Sequence, residues 1–284
     1  MIVDCHVNVY EDAHILPLLK AQTASRSGGV DPCATPERVK ASMTGVDRYI
    51  AFSLRYGDSA GVEGDDEVTA RLMALDPGRC VGFAYADPRR ADVMELLRHA
   101  TGTLGLRGVK FGPIYNGVSV LDPRLEPVIA HCLRHDLPLT MHMGTTYANN
   151  APLEFGRPIH VDELARRHPD LKIVMAHMGH PWMDECIAVI RKNPNVYAEV
   201  SALHYRPWQF WNMLVSAQEY GVADRNKIFW GTDFPYAEVE ESLEGLRRAN
   251  HLVEGTSLPR VSDATIQAIM HSNPFEHWWH GTAP

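Results

Sequence analysis

Short apolar runs separated by helix-like segments recur about eight times along this chain of 284 residues. The runs are Ile2–Cys5, Arg48–Ser53, Cys80–Ala86, Leu106–Phe111, Leu137–Met143, Leu171–Ala176, Asn195–Val200 and Lys227–Trp230. They are nearly continuous in apolar residues, the pattern of strands buried on both faces of a parallel sheet. Between them lie segments expected to be helical. Thr35-Pro36-Glu37 reads as an N-cap, a proline at the first helical position and an acidic first turn. Helices are likewise expected over Glu63–Leu75, Arg89–Thr101, Pro123–His135, Pro158–His168, Pro181–Lys192, Pro207–Tyr220, Val239–Leu252 and Asp263–Met270. The stretch after the first strand, through Ser25 and Gly29 to Pro32, reads as a long irregular loop of the kind that can form a lid. Such alternation predicts an α/β fold, a (β/α)8 TIM barrel forming one domain over residues 1–284. A doubly wound open sheet is the rival. Its Gly-x-Gly-x-x-Gly fingerprint after a strand is missing.

The composition excludes several classes of partner. A net charge of -8 with no basic run argues against nucleic acid and anionic membranes. No apolar stretch approaches the ~20 residues of a membrane span. No basic segment precedes an apolar run at the N-terminus, so no secretory signal is read there. The cysteines Cys5, Cys33, Cys80, Cys132 and Cys186 are odd in number and lack a Cys-x-x-Cys pair. Reduced thiols in the cytoplasm are therefore expected.

A barrel of this kind places its chemistry at the carboxyl ends of its strands. Reading only those ends selects His6 and Asn8 after strand one, Lys110 at strand four, His142 at strand five, His177 and His180 at strand six, and Asp233 at strand eight. Period-two geometry puts His6 and Asn8 on one face of the first strand. Cys5 is expected to face away as packing. Asp4 is placed on that opposite face too, reaching any site only indirectly. Taken singly, a strand-end histidine is more often structural, Asp233 has the makings of a helix N-cap, and Lys110 those of a snorkelling charge. Together they gather imidazoles and a carboxylate at one mouth.

The order of these motifs resembles the amidohydrolase superfamily. The features that carry the resemblance are Asp4-Cys5-His6, the strand-five histidine, Ala176-His177-Met178-Gly179-His180-Pro181-Trp182 and Gly231-Thr232-Asp233-Phe234-Pro235. Gly108-Val109-Lys110, Asn195-Val196-Tyr197-Ala198-Glu199-Val200-Ser201 and Asn273-Pro274 extend it over nearly the whole chain. The likeness is closer to the amidohydrolase-related branch that includes aminocarboxymuconate-semialdehyde decarboxylase-like enzymes. The resemblance implies one divalent metal ion, zinc first and manganese second. It implies a shell of His6, Asn8, His142 and Asp233, with His177 as the neighbouring acid/base. Such donors suit a Lewis-acidic ion that activates water. Asn8 departs from the pattern, because the family usually has histidine there. An amide oxygen is a weaker ligand than imidazole. The site then binds metal with Asn8 or water completing the shell, prefers a more oxygen-tolerant ion, or works without metal.

Function follows as three expectations. The first is hydrolysis of a small amide, lactone or related C–N or C–O bond by activated water, with Asp233 and His177 handling protons. The second is non-oxidative decarboxylation of an aromatic or unsaturated acid. The third is a catalytically silent barrel used for binding. Arg55 and Arg206, with Lys110 and His180, are the expected substrate contacts. Their charge suits a carboxylated or cyclic metabolite. A homodimer is the assembly that the resemblance implies. Trp208 and Trp211 are read equally as packing between helices.

Overall fold

The computed structural model describes residues 1–24 and 30–279. Eight strands follow one another around a single sheet: β1 (Val3–Asn8), β2 (Arg48–Phe52), β3 (Cys80–Tyr85), β4 (Val109–Phe111), β5 (Leu139–Met141), β6 (Ile173–Met175), β7 (Val196–Glu199) and β8 (Ile228–Phe229). Neighbours pair in parallel, and Val109, Leu139, Ile173 and Val196 stand in register across four of them. The seam between the first and last strands is joined by Cys5 N–H to the Trp230 carbonyl at 3.1 Å, Asp233 N–H to His6 at 2.9 Å and Asn8 N–H to Phe234 at 3.0 Å. The alternation therefore produces the expected barrel.

The segments between strands form helices for the local reasons that the sequence suggests. Thr35 caps the helix Pro36–Ser42 by accepting from Arg38 N–H. Asp65 caps Asp66–Leu75 and Ser262 caps Asp263–His271 in the same way. Glu63, expected to open the second of these segments, instead ends a two-stranded antiparallel hairpin of Arg55–Gly57 and Val62–Glu63.

Two further differences follow from tertiary contacts. The first strand runs on to Asn8, because its last residues gain partners from the chain after β8. Part of the stretch expected to be loop is the helix Pro17–Ala24, which buries only Leu19 and Thr23. The expected loop over residues 25–29 lies outside the described residues. Asp4 corrects the placement given above. Two residues from His6, it shares that face of β1 by strand alternation. It accepts from Thr232 N–H, Thr232 Oγ1 and His6 N–H.

At the amino-terminal end of the barrel, Trp278 packs against Phe83 and Phe229, with ring centroids 6.1 and 5.8 Å apart. Burying a side chain of this size is worth about 1.5–3 kcal/mol or more. All five cysteines are free; four are buried and Cys33 is half-buried. Among the described residues, no helix is long and apolar enough to cross a membrane.

Candidate active site

The carboxyl ends of the strands surround one cavity of about 290 Å³, a volume suited to a small organic molecule. His6, Asn8, His142, His177, His180, Arg206 and Asp233 all line it. Of the nine residues that the sequence singles out, seven therefore line one cavity. Lys110 and Arg55 are not among the lining residues.

His6 and Asn8 reach the cavity from one face of β1. His6 is buried, with Nδ1 2.8 Å from Glu199 Oε1 and Nε2 3.3 Å from Asp233 Oδ1. The Asn8 amide nitrogen donates to the Phe234 carbonyl at 2.7 Å and to Asp233 Oδ1 at 3.0 Å. Two acceptors on one atom identify that atom as the nitrogen. The remaining Asn8 Oδ1 is buried without a hydrogen-bond partner.

His142 follows β5, its backbone N–H held by the Phe111 carbonyl at 2.9 Å. Its ring meets Tyr115 edge-on at 4.7 Å and His177 at 4.8 Å. His177 sits in a sharp turn after β6, where His177, Met178 and Gly179 have φ of 56°, 48° and 63°. A non-glycine residue pays about 1–3 kcal/mol for such a backbone. Here Glu199 Oε1 holds the His177 N–H at 3.0 Å. Asp233 also has a positive φ, of 64°. The helix after it, Val239–Arg247, has Glu238 rather than Asp233 at its N-cap, so the capping alternative for Asp233 does not apply.

Burial, reinforced by the Lys110 charge, pushes the imidazolium forms of His6 and His142 down, the latter to about 3. Burial likewise lowers His177 and His180. Burial also depresses the Lys110 ammonium to about 8, opposed by the charges of Glu199 and Asp233. Its Nζ lies 4.5 Å above the Phe52 ring and has no hydrogen-bond partner. Lys110 is thus a buried charge behind the wall. Arg55 is tied up elsewhere, donating to the Gly64 carbonyl and pairing with buried Asp66 at 3.2 Å.

The other end of the cavity is different in character. His180 Nε2 lies 2.9 Å from Gln209 Oε1. Arg206 donates to the Ala202 carbonyl at 2.9 Å and lies over the Tyr205 ring, and among the described residues no carboxylate pairs with it. Tyr56 and Tyr115 stack at 3.9 Å to form one side wall. Tyr10, Tyr147 and Tyr236 add further phenolic surface. Trp211 is buried and donates to Pro259, whereas Trp208 is exposed; neither lines the cavity.

One residue of the site escaped sequence reasoning. Glu199, at the end of β7, is fully buried and links His6, His177 and Ser201. The only available signal was its place at a strand end inside the motif Asn195–Ser201. Among the described residues, His6, His177 and Glu199 are the three potential metal donors that lie within 4.8 Å of one another. Glu199 is already engaged by the His177 and Ser201 N–H groups and by His6 Nδ1, and does not line the cavity.

A family model described as Amidohydrolase matches residues 3–278. The chain belongs to the amidohydrolase family. Comparison of this amidohydrolase with curated proteins returned no match. Among solved structures, it resembles an uncharacterised TIM-barrel protein from Bordetella bronchiseptica, with 18% identity, 96% of each chain covered and a TM-score of 0.66. It also resembles 5-carboxyvanillate decarboxylase from Novosphingobium aromaticivorans complexed with manganese and 4-hydroxy-3-methoxy-5-nitrobenzoic acid. There the identity is 15%, coverage 99% of this chain and 96% of that one, and the TM-score 0.67. A 2,6-dihydroxybenzoate decarboxylase from Rhizobium follows at 16% identity, 98% coverage of both chains and a TM-score of 0.63. At these identities the shared property is the amidohydrolase-like barrel.

Proposed function

We propose that this amidohydrolase is a metal-dependent hydrolase acting on an amide, lactone or related bond in a small molecule. One observation carries the reading: polar atoms of His6, Asn8 and Asp233 converge at the cavity. His6 Nε2 and Asp233 Oδ1 approach to 3.3 Å, and Asn8 Oδ1 is buried with no partner. A buried polar atom left unpaired costs about 1–3 kcal/mol, which a bound cation relieves. On this reading His6, Asn8, His142 and Asp233 would hold a divalent ion. Mixed nitrogen and oxygen donors suit zinc, and manganese is the second choice. Such an ion lowers the pKa of bound water and polarises a carbonyl.

The chain's own groups supply the rest. Asp233, at the cavity wall, accepts a proton from the nucleophile. His177 exchanges protons with the leaving group from the neighbouring wall. Arg206 offers a guanidinium fork to a substrate carboxylate, and His180 with Gln209 adds polar contacts beside it. The tyrosine walls fit a planar or cyclic body.

Non-oxidative decarboxylation of an aromatic acid is the second reading. The phenolic cavity with Arg206 on its wall favours it, and two similar structures are decarboxylases of hydroxylated aromatic acids. A panel of lactones, amides and aromatic acids, followed by ring opening, amine release and CO₂ release, decides between the two. CO₂ release alone reverses the order. No turnover, no bound metal and unchanged ligand binding in His177→Ala and Asp233→Asn sink both in favour of a silent barrel.

A further inference from the structure

Glu199 makes three hydrogen bonds with one carboxylate. Its Oε1 faces His6 Nδ1 at 2.8 Å and the His177 N–H at 3.0 Å, and its Oε2 faces the Ser201 N–H at 2.5 Å. It is fully buried, so water does not compete for these positions. We infer that Glu199 is a positioning residue that fixes the tautomer of both His6 and His177, leaving each with a proton on Nδ1 and a bare Nε2.

The argument for His6 is direct. A carboxylate oxygen that already accepts the His177 N–H offers only acceptance, so the ring nitrogen at 2.8 Å carries the proton. On this assignment Nε2, 3.3 Å from Asp233 Oδ1, carries no hydrogen.

For His177 the control is one step removed. Its Nδ1 lies 2.9 Å from Ser201 Oγ and 3.3 Å from the Ser201 carbonyl oxygen. The hydroxyl alone would permit either tautomer, because it both donates and accepts. The carbonyl only accepts, so the pair is satisfied together when Nδ1 carries hydrogen. Glu199 holds both parts of this contact in place, Ser201 through its N–H and His177 through its own. The same carboxylate thus orients two rings whose centroids are 4.8 Å apart. A ring nitrogen opposite a carboxylate-bound N–H is the better base and the better ligand.

The inference does not depend on hydrolysis, on decarboxylation or on metal being bound. The test uses the full chain, stripped of metal by chelation and labelled with ¹⁵N-histidine near pH 7.5. Long-range ¹H–¹⁵N correlation spectra report which ring nitrogen bears hydrogen, with His6→Gln and His177→Gln assigning the signals. Wild-type protein is expected to show both rings with hydrogen on Nδ1 alone. Glu199→Leu removes the acceptor altogether, and His6 is expected to move its proton to Nε2 or to exchange between forms. Zinc and manganese binding should weaken roughly tenfold or more in that variant, the usual scale for loss of a ligand-orienting group.

A wild-type His6 that is doubly protonated, or protonated on Nε2, overturns the inference, and this measurement stands even if Glu199→Leu does not fold. A folded Glu199→Leu with unchanged His6 signals also overturns it. If the tautomers are as stated but neither ion binds wild-type protein, the proposed function fails and the role of Glu199 stands.

Discussion

The Asn8 side-chain amide donates to Asp233 Oδ1 across 3.0 Å, joining positions 225 residues apart. The bond turns the amide so that its oxygen, not its nitrogen, is left without a partner. Residue 8 therefore stands beside the proposed ion as a weak oxygen donor. Replacing it by imidazole should strengthen binding. Asn8→His is expected to raise zinc affinity roughly tenfold or more, measured by titration calorimetry on chelator-stripped protein. Unchanged affinity for both zinc and manganese removes residue 8 from the shell.

Metal removal should be visible in stability as well as activity. A ligand present at a hundred times its Kd stabilises the folded state by about 2.7 kcal/mol. For a chain of this size that corresponds to a Tm shift of roughly 4–5 °C. Thermal unfolding before and after chelation, and after adding zinc or manganese back, reads the effect. A Tm indifferent to all three treatments contradicts the proposed site.

Lys110 gives a pH-dependent signature. Burial holds its ammonium at about 8, below the ordinary 10.5. Between those values the unfolded chain binds the proton and the folded chain does not, so stability rises with pH. The burial cost is fully present below about pH 8 and fades toward 10.5. Urea unfolding of wild type and Lys110→Met at pH 7 and pH 9.5 is expected to show wild type gaining on the variant at the higher pH. A constant difference between them refutes the assignment.

Arg206 is the cation on the cavity wall for which no carboxylate partner is found among the described residues. A charge-assisted bond to a ligand carboxylate is worth about 1.5–3 kcal/mol. Arg206→Gln should therefore weaken benzoate binding roughly 10- to 100-fold and leave benzamide binding nearly unchanged. Equal loss for both ligands would mean that Arg206 acts by packing over Tyr205.

Much of this architecture is visible before folding, for definite reasons. Strands such as Cys80–Tyr85 are buried along their whole length, so their apolar runs stand out. His6, His142, His177 and Asp233 follow or end such runs, and barrel closure supplies the convergence. Glu199 is hidden because its importance lies in register: nothing near it in sequence says that its carboxylate meets His6. Arg55 misleads for a similar reason. Its nearest partners, Gly64 and Asp66, reach it through a hairpin only two or three residues deep on each side. The helix Pro17–Ala24 escapes notice because it buries little and so has a faint apolar face.

The seam between β1 and β8 has a consequence for biosynthesis. A nascent chain carries His6 and Asn8 well before Asp233, 225 residues beyond Asn8, and has no pocket to guard until Asp233 leaves the ribosome. Assembly of the site and closure of the barrel are one event, so a prematurely terminated product lacks both together.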